Sequence, residues 1–261
     1  MMNYNIDHIP ERTTGNRDHG LTMMMDKGLS LTEAGNFVES SAPYTDLVKF
    51  GFGTALITRN LKEKVKLYQE AGLKPYFGGT LFEMFFVRNQ FDDYRRFVSG
   101  SGLALVEVSD GSIRMERDEK LRCIELLSGE FQVLSEVGSK VRGVEISNDN
   151  WAAFMKSELE AGAWKVIGEA RESGTIGLYQ SDGSANSELI ERIMQEISVN
   201  NVLWEAPNKA QQTMFIKLIG PNVNLGNIAP AEVVSLEALR CGMRGDTFFD
   251  VLPEEFQFRK L

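Results

Sequence analysis

Short apolar runs, each followed by a longer amphipathic stretch, alternate along almost the whole chain. The runs are Leu21–Met25, Leu47–Phe50, Pro75–Phe77, Leu103–Val108, Gln132–Ser135, Lys165–Ile167, Val202–Trp204 and Val223–Leu225. Each is too short for a helix and nearly continuous in apolar character, as strands buried on both faces should be. Between them helical periodicity covers Leu31–Glu39, Leu61–Glu70, Phe91–Val98, Asp118–Leu127, Asn150–Leu159, Glu188–Ile197, Ala210–Leu218 and Ala231–Leu239. Ser30 with Glu33 matches a capping box, and Pro230 sits where a first-turn proline is tolerated. Gly72, Gly162 and Gly220 fall just past helix ends, where a left-handed residue is wanted.

Eight strand-then-helix units predict an α/β protein built as a single (β/α)₈ TIM-type barrel. An open, doubly wound sheet would more often show a G-x-G-x-x-G turn after its first strand, and none follows here. No low-complexity or Pro/Ser-rich linker divides the chain. The expected organisation is a polar N-terminal extension over 1–20, the barrel over 21–247 and a C-terminal tail over 248–261.

The length of 261 residues suits one such barrel, and 43% hydrophobic with 25% charged residues is ordinary globular composition. The net charge of −9 argues against nucleic acid as a partner, because that binding rests on Lys and Arg neutralising phosphates. It leaves room for an anionic small molecule, since a few local cations outweigh a diffuse negative surface. Cys123 and Cys241 lie far apart in helical segments without metal-ligand spacing, and read as reduced core thiols. No stretch resembles a signal peptide or spans a bilayer, so a cytoplasmic protein without a membrane partner is expected.

In a (β/α)₈ barrel the chemistry sits at strand C-termini and the loops beyond them. Here those places carry Asp26-Lys27, Lys49, Gly79-Thr80, Ser109-Asp110, Glu136, Glu169 with Arg171, Glu205, and Asn224 with Asn227. Any one of these carboxylates is more often a helix cap or a loop ion pair. Asp110 before Gly111 suits a turn, and Asn224 and Asn227 suit loop backbone. Their repetition around one mouth is what points to an active site, because so many converging polar groups are costly unless paired, metal-bound or substrate-bound.

Several carboxylates beside Lys and Arg suit an oxygen-liganded divalent cation, most simply Mg²⁺. Glu136, Glu169 and Glu205 are the first candidates for holding it, with Asp26 or Asp110 contributing across the mouth. Lys27, Lys49 and Arg171, with Asn224 and Asn227, remain as the candidates for binding an anionic substrate, Arg171 as a bidentate partner. The Gly78-Gly79-Thr80 turn and the Leu225-Gly226-Asn227 loop offer backbone N–H groups to a phosphate. The only histidines, His8 and His19, precede the first strand. Proton transfer therefore falls to Lys, Glu or Asp.

Nine segments carry a specific likeness: LTMMMDKGL after Gly20, DLVKFGFGT from Asp46, GGTLFE after Phe77, VSDG after Glu107, LSEVG from Leu134, LEAGAWKVIGEARESG from Leu159, WEAPNKAQQ from Trp204, GPNVNLGNI from Gly220 and LRCGMRGDT from Leu239. In this order, from about Gly20 to Thr247, they resemble the phosphosulfolactate synthase family, which also includes plant heat-stress-associated relatives. The resemblance implies a (β/α)₈ barrel and, in coenzyme M biosynthesis, Mg²⁺-dependent addition of sulfite to phosphoenolpyruvate to give 2-phospho-3-sulfolactate. It implies a carbon–sulfur lyase acting on small anions, and a homo-oligomer is expected.

Two anions approaching each other need charge neutralisation, a metal on the carboxylate would stabilise charge formed as sulfite attacks C3, and an acid must then protonate C2. The resemblance makes Lys140 the candidate acid, with anion binding as its alternative role. The chain departs from the family pattern at Ser139, where relatives often have a first lysine, and at Ala170, where they often have glycine. Two other readings stay open: a non-catalytic or regulatory barrel, and an enolate-forming enzyme with another nucleophile.

Overall fold

The computed structural model describes residues 3–138, 146–170, 177–180 and 183–260. Eight strands are present among them: β1 (Thr22–Asp26), β2 (Leu47–Phe50), β3 (Lys74–Phe77), β4 (Leu105–Val108), β5 (Gln132–Val137), β6 (Lys165–Gly168), β7 (Val202–Glu205) and β8 (Leu225–Ile228). Hydrogen-bonded neighbours run β3-β2-β1-β8-β7-β6-β5-β4, and every pair is parallel. β3 and β4, the two ends of this order, pack side by side and nearly close the circle. The architecture is the expected (β/α)₈ barrel.

The outer ring comprises α1 (Leu31–Ser41), α2 (Leu61–Glu70), α3 (Gly79–Phe86), α4 (Phe91–Gly100), α5 (Arg117–Ser128), α6 (Asn148–Glu160), α7 (Ser187–Glu196), α8 (Lys209–Ile219) and α9 (Val233–Arg240). Starts are set by local chemistry. Ser30 and Glu33 form the expected capping box, and the Ser147, Asn186 and Asn208 side chains each accept an N–H in the first turn of α6, α7 and α8. Gly72, Gly162 and Gly220 have positive φ just past their helices, as expected. Pro230 opens a short 3₁₀ turn, Pro230–Glu232, that leads into α9.

Two expectations are corrected. The Gly78-Gly79-Thr80 segment is not an open turn: Gly79 begins α3, whose Leu81, Phe82 and Glu83 are buried. The glycines hid a helix whose core side tertiary packing rewards. The eighth strand also begins two residues later than its apolar run suggests, so Gly226 and Asn227 lie within β8 rather than after it.

Strand alternation divides the core in two. Met24, Val48, Val106, Val133, Val166 and Val202 belong to the cluster between sheet and helices. Leu21, Met23, Leu47, Tyr76, Leu105, Leu134, Ile167 and Leu203 form a second cluster, the packed interior of the barrel. Below it, Arg17 in the N-terminal segment grips Asp46 through Nε and Nη2 at 2.8 and 2.9 Å, pinning that segment to the N-terminal end. Cys123 and Cys241 are free and buried, and burial raises both thiols to about 11. No described helix is long and apolar enough to cross a membrane.

Candidate active site

Residues two apart on a strand share a face. Stepping two positions from interior Leu47, Leu105, Leu134, Ile167 and Leu203 gives Lys49, Glu107, Glu136, Glu169 and Glu205. All five are buried, so an apolar layer supports a charged one at the C-terminal mouth. Glu107 is the member not anticipated from the strand ends, because Ser109-Asp110 drew attention past it. The alternation from Leu105 is the signal that finds it.

Lys49 occupies the centre of this layer. Its Nζ lies 3.0 Å from Glu107 Oε1, 3.3 Å from Glu205 Oε1 and 3.5 Å from Glu136 Oε2. Burial opposes its charge, but Glu107, Glu205 and Glu136 together outweigh that and hold the ammonium well above its usual range. Burial, and then Glu107, pushes the Tyr76 phenol up, so it stays neutral. Glu205 is pushed up to about 7, by burial first and then by Glu136 and Glu107, against Lys49 and the Ala170 N–H. That N–H donates to Glu205 Oε2 at 2.8 Å, and the Tyr179 hydroxyl donates to the Glu205 carbonyl at 2.7 Å.

One oxygen from each of Glu136, Glu169 and Glu205 lies within 4.8 Å of the other two. Gly138 makes this convergence possible: a Cβ there would stand 2.4 Å from Glu169 Cβ and 2.9 Å from the Trp151 ring. Among the described residues, four buried carboxylates and one buried ammonium share this layer. A hard, oxygen-seeking divalent cation fits this set of carboxylate oxygen donors.

The other anticipated residues are placed elsewhere. Asp26 shares the outward face of Met24, so its side chain leaves the barrel. Its Oδ2 pairs with Lys64 Nζ at 2.6 Å and accepts from the Tyr68 hydroxyl at 2.8 Å, and its Oδ1 accepts from Gly28 and Leu29 N–H. Asp110 lies two past outward Val108 and pairs with buried Lys120 at 2.7 Å. Neither joins the carboxylate cluster. Lys27 is exposed at the rim. Asn224 lies at the opposite end of the barrel, where it accepts from the Leu21 N–H and donates to the Asn200 and Val202 carbonyls. The shifted start of β8 is the reason. The Gly79 N–H is taken by Glu107 Oε1 at 2.5 Å rather than open to a phosphate. Asn227 does reach the mouth, where its Nδ2 donates to the Ala170 carbonyl at 3.2 Å. Lys140, with Ser139 before it, and Arg171 lie outside the described residues.

A family model described as (2R)-phospho-3-sulfolactate synthase (ComA) matches residues 10–246. The chain is 40% identical over 244 residues to the phosphosulfolactate synthase of Bacillus subtilis, covering 92% of this chain and 97% of that protein. It is equally similar to the phosphosulfolactate synthase of Methanothermobacter thermautotrophicus, with 91% and 95% covered. This chain belongs to the phosphosulfolactate synthase family. It is thus a member of an enzyme family acting on small molecules, and the charged layer is the place in this phosphosulfolactate synthase relative where such chemistry fits.

Solved structures add the fold alone. The 3-keto-L-gulonate-6-phosphate decarboxylase of Vibrio cholerae superposes with a TM-score of 0.55 at 11% identity, covering 89% of this chain and 98% of that one. The 3-hexulose-6-phosphate synthase of Salmonella typhimurium gives 0.51 at 14% identity, covering 84% and 97%.

Proposed function

We propose that the chain adds sulfite to phosphoenolpyruvate, giving 2-phospho-3-sulfolactate, with Mg²⁺ held by Glu136, Glu169 and Glu205. The observation that carries this reading is the buried carboxylate cluster at the ends of β5, β6 and β7, in a chain of the phosphosulfolactate synthase family. When bound, Mg²⁺ supplies positive charge to the substrate carboxylate as electrons move toward it.

The chain's own residues supply the rest. Sulfite sulfur gives an electron pair to C3, the C2–C3 π pair moves toward the carboxylate, and a proton delivered to C2 completes the addition. Lys49 is a fixed cation beside the cluster, held protonated by its carboxylate neighbours, and it offsets repulsion between two anionic substrates. The packed apolar layer beneath closes the barrel floor under the charged layer. Lys140 is the proposed donor of the C2 proton, and Arg171 the proposed fork for a phosphate or sulfite oxyanion. Small anions are the proposed partners, assembly the proposed homo-oligomer and the cytoplasm the proposed location.

Incubation with phosphoenolpyruvate, sulfite and Mg²⁺, followed by mass analysis, tests the reading. The expected product has the combined mass of both substrates as the acid. Phosphoenolpyruvate recovered intact would contradict it.

A further inference from the structure

Asn227 sits in the one irregularity between β1 and β8. The register pairs Thr22 with Leu225 and Met24 with Ile228, so Met23 alone faces both Gly226 and Asn227. Strict alternation would put Leu225 and Ile228 on opposite faces, yet both belong to the outer core cluster. The extra residue resolves the conflict. A Cβ on Gly226 would meet interior Met23 and Leu203, so Gly226 points inward. Asn227, with φ of +58°, turns inward as well. A bulge of this kind re-aims a side chain at the cost of left-handed backbone in a residue other than glycine.

The side chain so aimed is only partly satisfied. Asn227 is 8% exposed, and among the described residues its Oδ1 has no hydrogen-bond partner. Its orientation is not arbitrary, since the Ala170 carbonyl accepts from Nδ2 and would repel the amide oxygen. The other end of the same Ala170 residue donates its N–H to Glu205 Oε2. Glu205 and Gly226 are Cα partners across β7 and β8. Ala170 therefore links the Asn227 amide to Glu205, a member of the carboxylate cluster. A buried acceptor left unsatisfied is destabilising. A cation, or water bound to one, satisfies it.

We infer that Asn227 is a ligand of the cation at Glu136, Glu169 and Glu205, directly or through a water of the cation's shell, and that the β8 bulge exists to present it. This rests on the cation reading of the cluster proposed above. It separates two properties of one residue: the strain belongs to the backbone and the binding to the amide. Glycine at this position keeps the left-handed backbone without strain and removes only the amide.

Mn²⁺ titration by electron paramagnetic resonance, with melting in EDTA as a companion measurement, tests the inference. Asn227→Gly should melt in EDTA at or above the wild-type temperature and bind Mn²⁺ about 10–100-fold more weakly. Asn227→Asp, which keeps an oxygen there, should retain binding. Wild-type Mn²⁺ affinity in Asn227→Gly would overturn the inference and make the amide a structural brace. A wild-type protein that binds no Mn²⁺ would instead overturn the cation reading on which it rests.

Discussion

Lys49 and Glu107 meet 3.0 Å apart in the barrel mouth, from strands β2 and β4 that are not neighbours in the sheet. Their side chains are 7% and 0% exposed, so neither charge can turn to water. Removing one partner of a buried pair strands the other, and here Lys49 also faces Glu136 and Glu205. Lys49→Met should therefore lose roughly 3–5 kcal/mol of stability in EDTA, measured by urea denaturation. Added Mg²⁺ should restore part of the loss by taking over the neutralising role. An unchanged midpoint in EDTA would show that the carboxylates are not charged together in the folded protein.

The proton on Glu205 links stability to pH. Its folded value near 7 lies above its ordinary 4.5, so the folded state binds the proton more tightly than the unfolded state. The stabilisation from that proton is complete below the unfolded value and lost as pH rises through the folded one. In EDTA, this group should lower stability as pH rises from about 4.5 to about 7. A divalent cation must displace the same proton, so Mg²⁺ affinity should rise over that range and level off above it. Calorimetry in buffers of different protonation enthalpy would detect the released proton. Affinity independent of pH between about 6 and 8 would contradict the coupling.

Gly79 shows how tightly the mouth is built beside α3. A Cβ there would stand 2.4 Å from Ser109 Oγ, 2.6 Å from Ser109 Cβ and 2.8 Å from Glu107 Oε1. Ser109 is itself tied to buried Glu83 at 2.7 Å and has little freedom to retreat. Gly79→Ala should cost roughly 1–3 kcal/mol through overpacking and should weaken Mg²⁺-dependent turnover by moving Glu107 against Lys49. Thermal melting and turnover read the two effects separately. A protein of wild-type stability and rate would show that the loop after β4 yields freely.

How far the sequence discloses this site depends on whether a side chain's direction follows from its strand. Glu136, Glu169 and Glu205 are legible because each follows an apolar run, and Lys49 because it interrupts one. The barrel itself is legible in the alternation of runs and periodic stretches. Asp26 and Asp110 look equivalent in one dimension, but Met24 and Val108 place them on the outer face, where buried Lys64 and Lys120 neutralise them. Those lysines sit on α2 and α5, and nothing local announces such pairings. Asn224 and Asn227 differ by three positions and end at opposite ends of the barrel, because the strand start moved and a bulge intervened. Bulges are decided by packing on both faces at once, which a linear pattern does not carry.

Lys140 and Arg171 divide the remaining labour of the proposed reaction. Lys140→Met keeps much of the stem and removes the proton, so turnover at saturation should fall roughly 10²–10⁴-fold with substrate binding largely kept. If affinity alone falls, the acid is another group. Arg171→Lys replaces a planar fork by a point charge and should raise the half-saturating concentration of one substrate. Unchanged values for both would leave Arg171 a structural role.

Promotion of sulfite addition at C3 of phosphoenolpyruvate is the role proposed for a cation held by Glu136, Glu169 and Glu205. It is tested most directly by a ¹³C NMR time course on phosphoenolpyruvate labelled at C3, with sulfite, in Mg²⁺ and in EDTA. In Mg²⁺ the alkene signal should convert to that of a CH₂ bonded to sulfur, and the conversion should stop in EDTA and resume when Mg²⁺ is restored. Conversion at the same rate after exhaustive chelation, or an alkene signal that persists in Mg²⁺, would contradict it.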